Sequence, residues 1–356
     1  MGEFNEKRVT IKDVAQKAGV SLGAVNKALT GKPGISEKRR KEIIEIAHEM
    51  GYQINSVAQI MSRKPMTIGV VIPYSEDDKY FKAMKMGMEK EFRHLEKYKV
   101  NSAFYFVTDD EKSQNIENFT AWLSDMDVKA VCICPRRFDY MAEMVDKVIK
   151  TKLPLFLSGG GIEPPEECIT MVSVDSYLSG RMAADFLYAV NGKNIKAAVF
   201  GNSLENITVY KKVYAFTEWL KKYGVGEPAV LEDNDNKEIT LENIKTLLAA
   251  KPDLNSIYVS NANCLPIVKY IEESGLKDKI TVVATDYSES IKGHVENGTI
   301  NAVLLQNEDE VGRKIISHAY NYLVKHATYG NEDLQFNKRI YIKPEFCMKS
   351  SFFTEE

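Results

Sequence analysis

Apolar positions recur at helical spacing along the first fifty residues. Ile11, Val14, Ala15 and Ala18 follow the i, i+3, i+4, i+7 rule of one helix face, with Thr10 placed as N-cap and Asp13 three residues on. Gly19 stops that run, and Ser21 caps a second helix reaching about Leu29, with Val25, Ala28 and Leu29 inward. Ser36 caps a third, with Ile43, Ile46, Ala47 and Met50 inward. Helix, short glycine-containing turn, helix is the helix-turn-helix layout. It leaves Leu22, Gly23, Asn26 and Lys27 near the outer, N-terminal side of the second helix, where a recognition helix presents groups to base edges. An ordinary three-helix bundle with basic edges would share this spacing. Next, Asn55 can cap a helix over 56–62 with Val57, Ala58 and Met61 on one side. A helix that short is marginal alone in water, so 55–65 reads as a hinge or linker.

From Met66 the period changes. Strand-like apolar runs at 67–73, 102–107, 130–135, 154–158, 197–201, 256–260, 281–286 and 302–306 alternate with helix-length amphipathic stretches. That alternation predicts βαβ units and parallel sheets, and the remaining length, at about 150 residues per domain, fits two of them. The run Gly159-Gly160-Gly161 follows a strand but precedes no helix start, so it reads as a loop and not a phosphate cradle.

Charge sharpens the division. Residues 1–65 hold 12 Lys/Arg and 7 Asp/Glu, a net of +5, whereas the rest of the chain nets −8. A basic head on an acidic body suggests that only the head meets a polyanion. No apolar run approaches the ~18 residues of a membrane helix, and no apolar signal segment opens the chain, so a cytoplasmic location is expected. Five cysteines at irregular spacing (Cys132, Cys134, Cys168, Cys264, Cys347) suit neither a disulfide framework nor a zinc site. Alternation in AVCICP puts Cys132 and Cys134 on one strand face as buried thiols. There is no G-x-G-x-x-G after a strand, no G-x-x-x-x-G-K-[ST], no G-x-S-x-G and no H-E-x-x-H. Nucleotide binding and catalysis therefore lack support, and neither cofactor nor metal is expected.

In parallel α/β sheets ligands sit beyond the carboxyl ends of the strands. Those ends carry Tyr74, Asp109, Asp110, Arg136, Arg137, Asn261, Asp286 and Gln306, with Tyr80 and Phe81 nearby. Carboxylates and amides exchange hydrogen bonds with hydroxyls while aromatic faces cover apolar patches, which suits a hydroxyl-rich ligand. Any single one of these residues also fits a solvated loop or a helix cap.

The segment from Val9 to Tyr52 resembles the headpiece of lactose-repressor-type (LacI family) bacterial transcription regulators, whose signature runs T-x-x-D-V-A-x-x-A-G-V-S-x-x-T-V-S-R-x-L-N. Thr10, Asp13, Val14, Ala15, Ala18, Gly19, Val20, Ser21, Val25 and Leu29 keep that register. Ala24, Asn26 and Lys27 depart from it, replacing Thr, Ser and Arg. The resemblance implies that Thr10, Ser21, Leu22, Gly23, Asn26 and Lys27 contact DNA, although Lys27 lacks the planar fork with which Arg grips guanine. It further implies that 55–65 folds into a hinge helix on DNA. There Asn55 and Ala58 face the duplex, and Met61 takes the place of a Leu that wedges into the minor groove.

Residues 67–350 resemble the periplasmic-binding-protein-like core of the same family. Asp78-Lys79-Tyr80-Phe81 is similar to its N-P-F-F, and the stretch around Asp175 to its V-x-x-D-N-x-x-G-G, where Asp175 should be structural at a helix start. Asn261, Asp286 and Gln306 fall where sugar-binding relatives hold hydroxyls, and Lys212-V-Y-Ala215-Phe216 replaces the family's R-x-x-G-F. The implied effector contacts are Tyr80, Phe81, Arg136, Lys212, Asn261, Asp286 and Gln306.

The expected architecture is an all-α helix-turn-helix headpiece (9–54), a hinge (55–65) and an α/β core of two doubly wound parallel-sheet subdomains. The first subdomain is expected over about 67–171 and 306–329, and the second over about 172–304 and 332–350. The expected function is a non-enzymatic, sequence-specific transcription regulator, acting as a repressor and homodimer. Double-stranded operator DNA and a sugar or sugar derivative are its partners, with no membrane involved. The alternatives are a solute receptor of a transport system, a regulator of a non-sugar ligand, and an enzyme on the same core.

Overall fold

The structure, a computed structural model, describes residues 9–30, 34–50, 52, 64–73, 79–107, 112–135, 138–160, 162–329 and 336–352. Helices α1 (Ile11–Ala18), α2 (Leu22–Thr30) and α3 (Glu37–Glu49) open it. A capping box starts α1: the Asp13 N–H donates to Thr10 Oγ1, and the Thr10 N–H donates to Asp13 Oδ2 at 2.7 Å. Gly19 then adopts φ 64°, a left-handed C-cap that suits a residue without Cβ. Val14, Ala15, Ala18, Val25, Ala28, Leu29, Ile43 and Ala47 bury one small core. Two arginines of α3 close it. Arg39 Nη2 donates to Ala18 O at 2.8 Å, and Arg40, only 7% exposed, donates to Lys27 O at 2.9 Å and Ala28 O at 3.3 Å. Carbonyls in a helix's last turn lack intrahelical partners, so these guanidiniums cap α1 and α2.

The first sheet contains β1 (Met66–Pro73), β2 (Val100–Val107), β3 (Val128–Ile133), β4 (Leu155–Ser158), β5 (Cys168–Val174) and β11 (Arg339–Ile342), in the order β11-β5-β4-β3-β1-β2. The second contains β6 (Ala197–Gly201), β7 (Ala229–Glu232), β8 (Ser256–Val259), β9 (Thr281–Thr285), β10 (Ala302–Leu305) and β12 (Glu345–Cys347), in the order β12-β10-β9-β8-β6-β7. All pairs are parallel except β10 with β12. Each sheet thus repeats one doubly wound pattern, with winding reversing at β1/β3 and at β6/β8. Near-continuous apolar runs such as IGVVI stay buried because helices cover both faces.

Helices α4 (Lys79–Leu95), α5 (Lys112–Asp125), α6 (Phe138–Thr151) and α12 (Glu308–Tyr329) flank the first sheet; α7 (Ser176–Asn191), α8 (Ile207–Lys222), α9 (Lys237–Ala250), α10 (Leu265–Glu273) and α11 (Glu289–Glu296) flank the second. Asp175 caps α7, its side chain accepting from the Leu178 N–H at 2.9 Å, the structural role expected for it. Where α4 crosses α12 the backbones touch. A Cβ on Gly87 would lie 1.9 Å from Asp309 O, so no side chain fits there.

The chain passes between the sheets three times, after β5, between β10 and α12, and between β11 and β12. This corrects the expected subdomain bounds. The first lobe runs on through Val174, and residues 336–342 of the stretch given to the second lobe return to the first. The reason is pairing: β11 finds its hydrogen-bond partner in β5, with Ile340 opposite Val172, and only β12 crosses back to pair β10. Strands β5, β7, β11 and β12 were not anticipated, and three of them are short edge strands. All five cysteines are free and buried, and Cys132 and Cys134 share one core face as the alternation implied.

Candidate functional site

The two sheets turn their carboxyl ends toward each other. Gly160, just beyond β4, packs against Thr208 in the first turn of α8, which follows β6. Between these ends lies a chain of polar groups built on three elements. Lys212 of α8 is only 4% exposed, and its Nζ donates to Ser260 O at 3.1 Å and to Gln306 Oε1 at 3.0 Å. Gln306, on the crossing from β10, donates from its amide Nε2 to Asp286 Oδ1 at 2.7 Å. Asp286 follows β9 with φ 65°, and Asn307 has φ 52°. Left-handed backbone at two non-glycine residues is costly and needs surrounding structure to hold it.

Glu308 opens α12 beside this chain. Burial pushes its carboxyl up to about 8, and the neighbouring Asp286 carboxylate adds to the rise while Lys212 opposes it. Glu308 therefore keeps its proton at neutral pH and shares it with Asp286. Burial lowers the pKa of Lys212, against the pull of Asp286 and Glu308. Ammonium, carboxylate, amide and neutral acid together give a floor with donors and acceptors and little net charge. Such a floor can exchange hydrogen bonds with hydroxyls.

Of the other expected contacts, Tyr80 brings its hydroxyl to 3.5 Å from where a Cβ on Gly159 would sit, just beyond β4. Phe81 is 8% exposed and belongs to the first lobe's core, with Tyr80 edge-on to it at 5.2 Å between ring centroids. Asn261 enters a separate network, its Nδ2 donating to Asp233 Oδ1 and Asp235 Oδ1, each at 3.1 Å. There the fully buried Asp233 carboxylate also takes Thr240 Oγ1 at 2.9 Å and Asn263 Nδ2 at 3.3 Å. Burial raises the Asp233 pKa in spite of these donors. Arg136, with Tyr74, Asp109, Asp110 and Arg137, lies outside the described residues. Glu308 and Ser260 were not anticipated. Glu308 reads in sequence as one of several acids favouring a helix start, and only the crossing between lobes buries it.

On the headpiece, Thr10, Ser21, Leu22, Gly23, Asn26 and Lys27 are all exposed, Leu22 by 44%. Ser21 Oγ accepts the Ala24 N–H at 3.1 Å, which fixes the start of α2. Lys27 reaches toward Gly34, its Nζ 3.0 Å from where a Cβ on that glycine would be. An exposed helix face with Leu22 at its tip, stiffened by the two arginine caps, has the shape to enter a groove. Asn55, Ala58 and Met61 lie outside the described residues.

Two family signatures match the chain: "Bacterial regulatory proteins, lacI family" over 10–55 and "Periplasmic binding protein domain" over 68–327. The chain belongs to the LacI family. It is a DNA-binding transcription regulator with a periplasmic-binding-protein-like core. Catabolite control protein A of Priestia megaterium is 27% identical over 273 residues, 75% of this chain and 79% of the relative. Among solved structures, the transcriptional regulator CelR in complex with cellobiose superposes with a TM-score of 0.64 at 17% identity, covering 96% of this chain and 99% of that one. The lac repressor dimer bound to operator and the anti-inducer ONPF gives the same TM-score and identity, covering 97% and 99%. At such identities the structures speak for the LacI-type fold. Among the described residues no helix is long and apolar enough to cross a membrane.

Proposed function

We propose that the chain is a cytoplasmic repressor that binds operator DNA as a homodimer, answers to a sugar or sugar derivative held between its lobes, and catalyses no reaction. The observation that carries the effector reading is the Lys212–Gln306–Asp286 chain, where each group is aligned by the next at the crossing between lobes. The related CelR fold was solved with cellobiose, which supports a saccharide in this position. On the head, Leu22, Gly23, Asn26 and Lys27 read bases, while Thr10 and Ser21 meet phosphates. Asn55, Ala58 and Met61 contact the minor groove.

Dimerisation is supported by the edge strand β2. Phe104 and Phe106 stack at 5.9 Å with Lys85 over both rings, and Phe106 and Met86 are 41% and 67% exposed. A second copy covering this face would bury an edge that invites pairing. A solute receptor would leave the headpiece without use.

The test has two arms. Selection of DNA from a random pool by the full chain should enrich a pseudo-palindrome, since two heads related by a twofold read matching half-sites. A single unsymmetrical half-site, or no enrichment, would sink the operator reading. A thermal-shift panel of monosaccharides, disaccharides, uronates and sugar phosphates should then yield a stabilising ligand, worth ~2.7 kcal/mol at 100 times its dissociation constant. Asp286→Ala and Gln306→Ala should remove that stabilisation; a panel in which no saccharide acts overturns the effector class.

A further inference from the structure

Away from the polar chain, the lobes also meet along the loop that leaves β4. Gly160 has no left-handed backbone, so space alone excludes a side chain there: a Cβ would sit 2.1 Å from Thr208 Cγ2. Thr208 is not free to turn its methyl aside. Its hydroxyl donates to Asn206 Oδ1 at 2.6 Å, and the same oxygen caps α8 by accepting the Thr208 N–H at 3.0 Å. One turn further along α8, Lys211 Nζ donates to Glu163 Oε1 at 2.8 Å. The second oxygen of Glu163 takes the guanidinium of Arg339 on β11. Arg339, then Lys211, hold the Glu163 carboxyl below the usual carboxylate range. These groups surround a small cavity walled by Ser173, Tyr177 and Tyr341.

Lys211 and Thr208 belong to the second lobe, and Gly160, Glu163 and Arg339 to the first. We infer that this seam, beside the crossing after β5, limits closure of the cleft: the bare Cα of Gly160 sets how far the lobes approach, and the Glu163–Lys211 pair clasps them. The inference rests on the reading above in which the lobes close around a ligand. Its physical logic is reversibility. When the lobes part, Lys211 takes its charge into water, while Glu163 keeps Arg339 as partner within its own lobe, so opening strands no bare carboxylate. An exposed pair of this kind shifts an equilibrium by roughly two- to fivefold. The steric stop is stiffer, because a methyl at 160 must either break the α8 cap or hold the lobes apart. Gly160 and Thr208 are thus positioning residues for closure.

The experiment needs neither effector nor operator, so its failure and failure of the sugar reading are distinguishable. Spin labels on Glu143→Cys and Glu238→Cys, one on each lobe, report the separation by pulsed dipolar spectroscopy. The native thiols are buried, and burial pushes Cys134 and Cys264 up to about 12, so the introduced cysteines react. Gly160→Ala should lengthen the distances and Gly160→Val lengthen them more. Thr208→Ser in the Gly160→Ala background should restore the original distribution, because it deletes the methyl and keeps the capping hydroxyl. Glu163→Gln should raise the open population two- to fivefold, as should added salt. Circular dichroism checks folding; should Gly160→Val not fold, Gly160→Ala with and without Thr208→Ser decides. Distances unmoved by Gly160→Ala, or moved and not restored by Thr208→Ser, overturn the inference.

Discussion

Replacing Glu308 by Gln isolates the half-buried acid at the crossing between lobes. Folded, Glu308 titrates at about 8 against an ordinary 4.5, so between those values the folded state binds more protons than the unfolded one. Stability from this group is whole below pH 4.5, falls as pH rises and is gone above pH 8. The full gap would be worth up to ~5 kcal/mol. Asp286 shares the proton and Glu308 is only partly buried, so ~2–3 kcal/mol is expected. Gln cannot ionise, and its amide still donates toward Asp286 as the acid does. Urea unfolding of Glu308→Gln and the parent should therefore agree within ~1 kcal/mol at pH 5.5, with the variant ~2–3 kcal/mol more stable at pH 8.5. Taking the difference between the two chains cancels every ionisation that the substitution leaves unchanged. A difference that does not change between pH 5.5 and 8.5 would refute the reasoning.

Other perturbations probe separate links. Arg40→Met leaves Lys27 O and Ala28 O without their buried donor, so the headpiece should lose ~1–3 kcal/mol in calorimetry while the core transition stays put. Gly87→Ala forces α4 off α12 and should cost the core ~3 kcal/mol of stability in urea unfolding, the cost of overpacking at backbone contact. Gln306→Leu breaks the relay between Lys212 and Asp286 and should cost ~2–4 kcal/mol of core stability as well as effector affinity, read by urea unfolding and calorimetry. Operator affinity should fall steeply with salt, and Lys27→Ala should shallow that slope if Lys27 meets phosphate but relax base preference if it reads a base.

The headpiece was legible in the sequence because its structure is local. Capping at Thr10 and Ser36, the stop at Gly19 and the apolar spacing of Val14, Ala18, Val25 and Ile43 involve residues a few positions apart, and the helices follow them. The capping roles of Arg39 and the buried Arg40 were not legible, since a charged pair at 39 and 40 reads as solvated surface until packing of α3 brings it to the ends of α1 and α2. In the core, long parallel strands announced themselves as apolar runs. The edge strands β7 and β11 did not, because a strand with an exposed face and three or four residues carries almost no pattern of its own.

The ligand cleft divides along the same line. Strand ends are sites of polar residues in any parallel sheet, so Asp286 and Gln306 could be named from position alone. Which of those residues join one network depends on distances between elements 20 to 90 residues apart. Only the tertiary structure ties Lys212 to Gln306, links Asn261 to Asp233, sinks Phe81 into the core and sets Glu308 against Asp286. Sequence determines what each segment prefers to be. The crossings between the lobes decide which charges lose water and meet, and desolvation is a property of the assembled surroundings that no single segment carries.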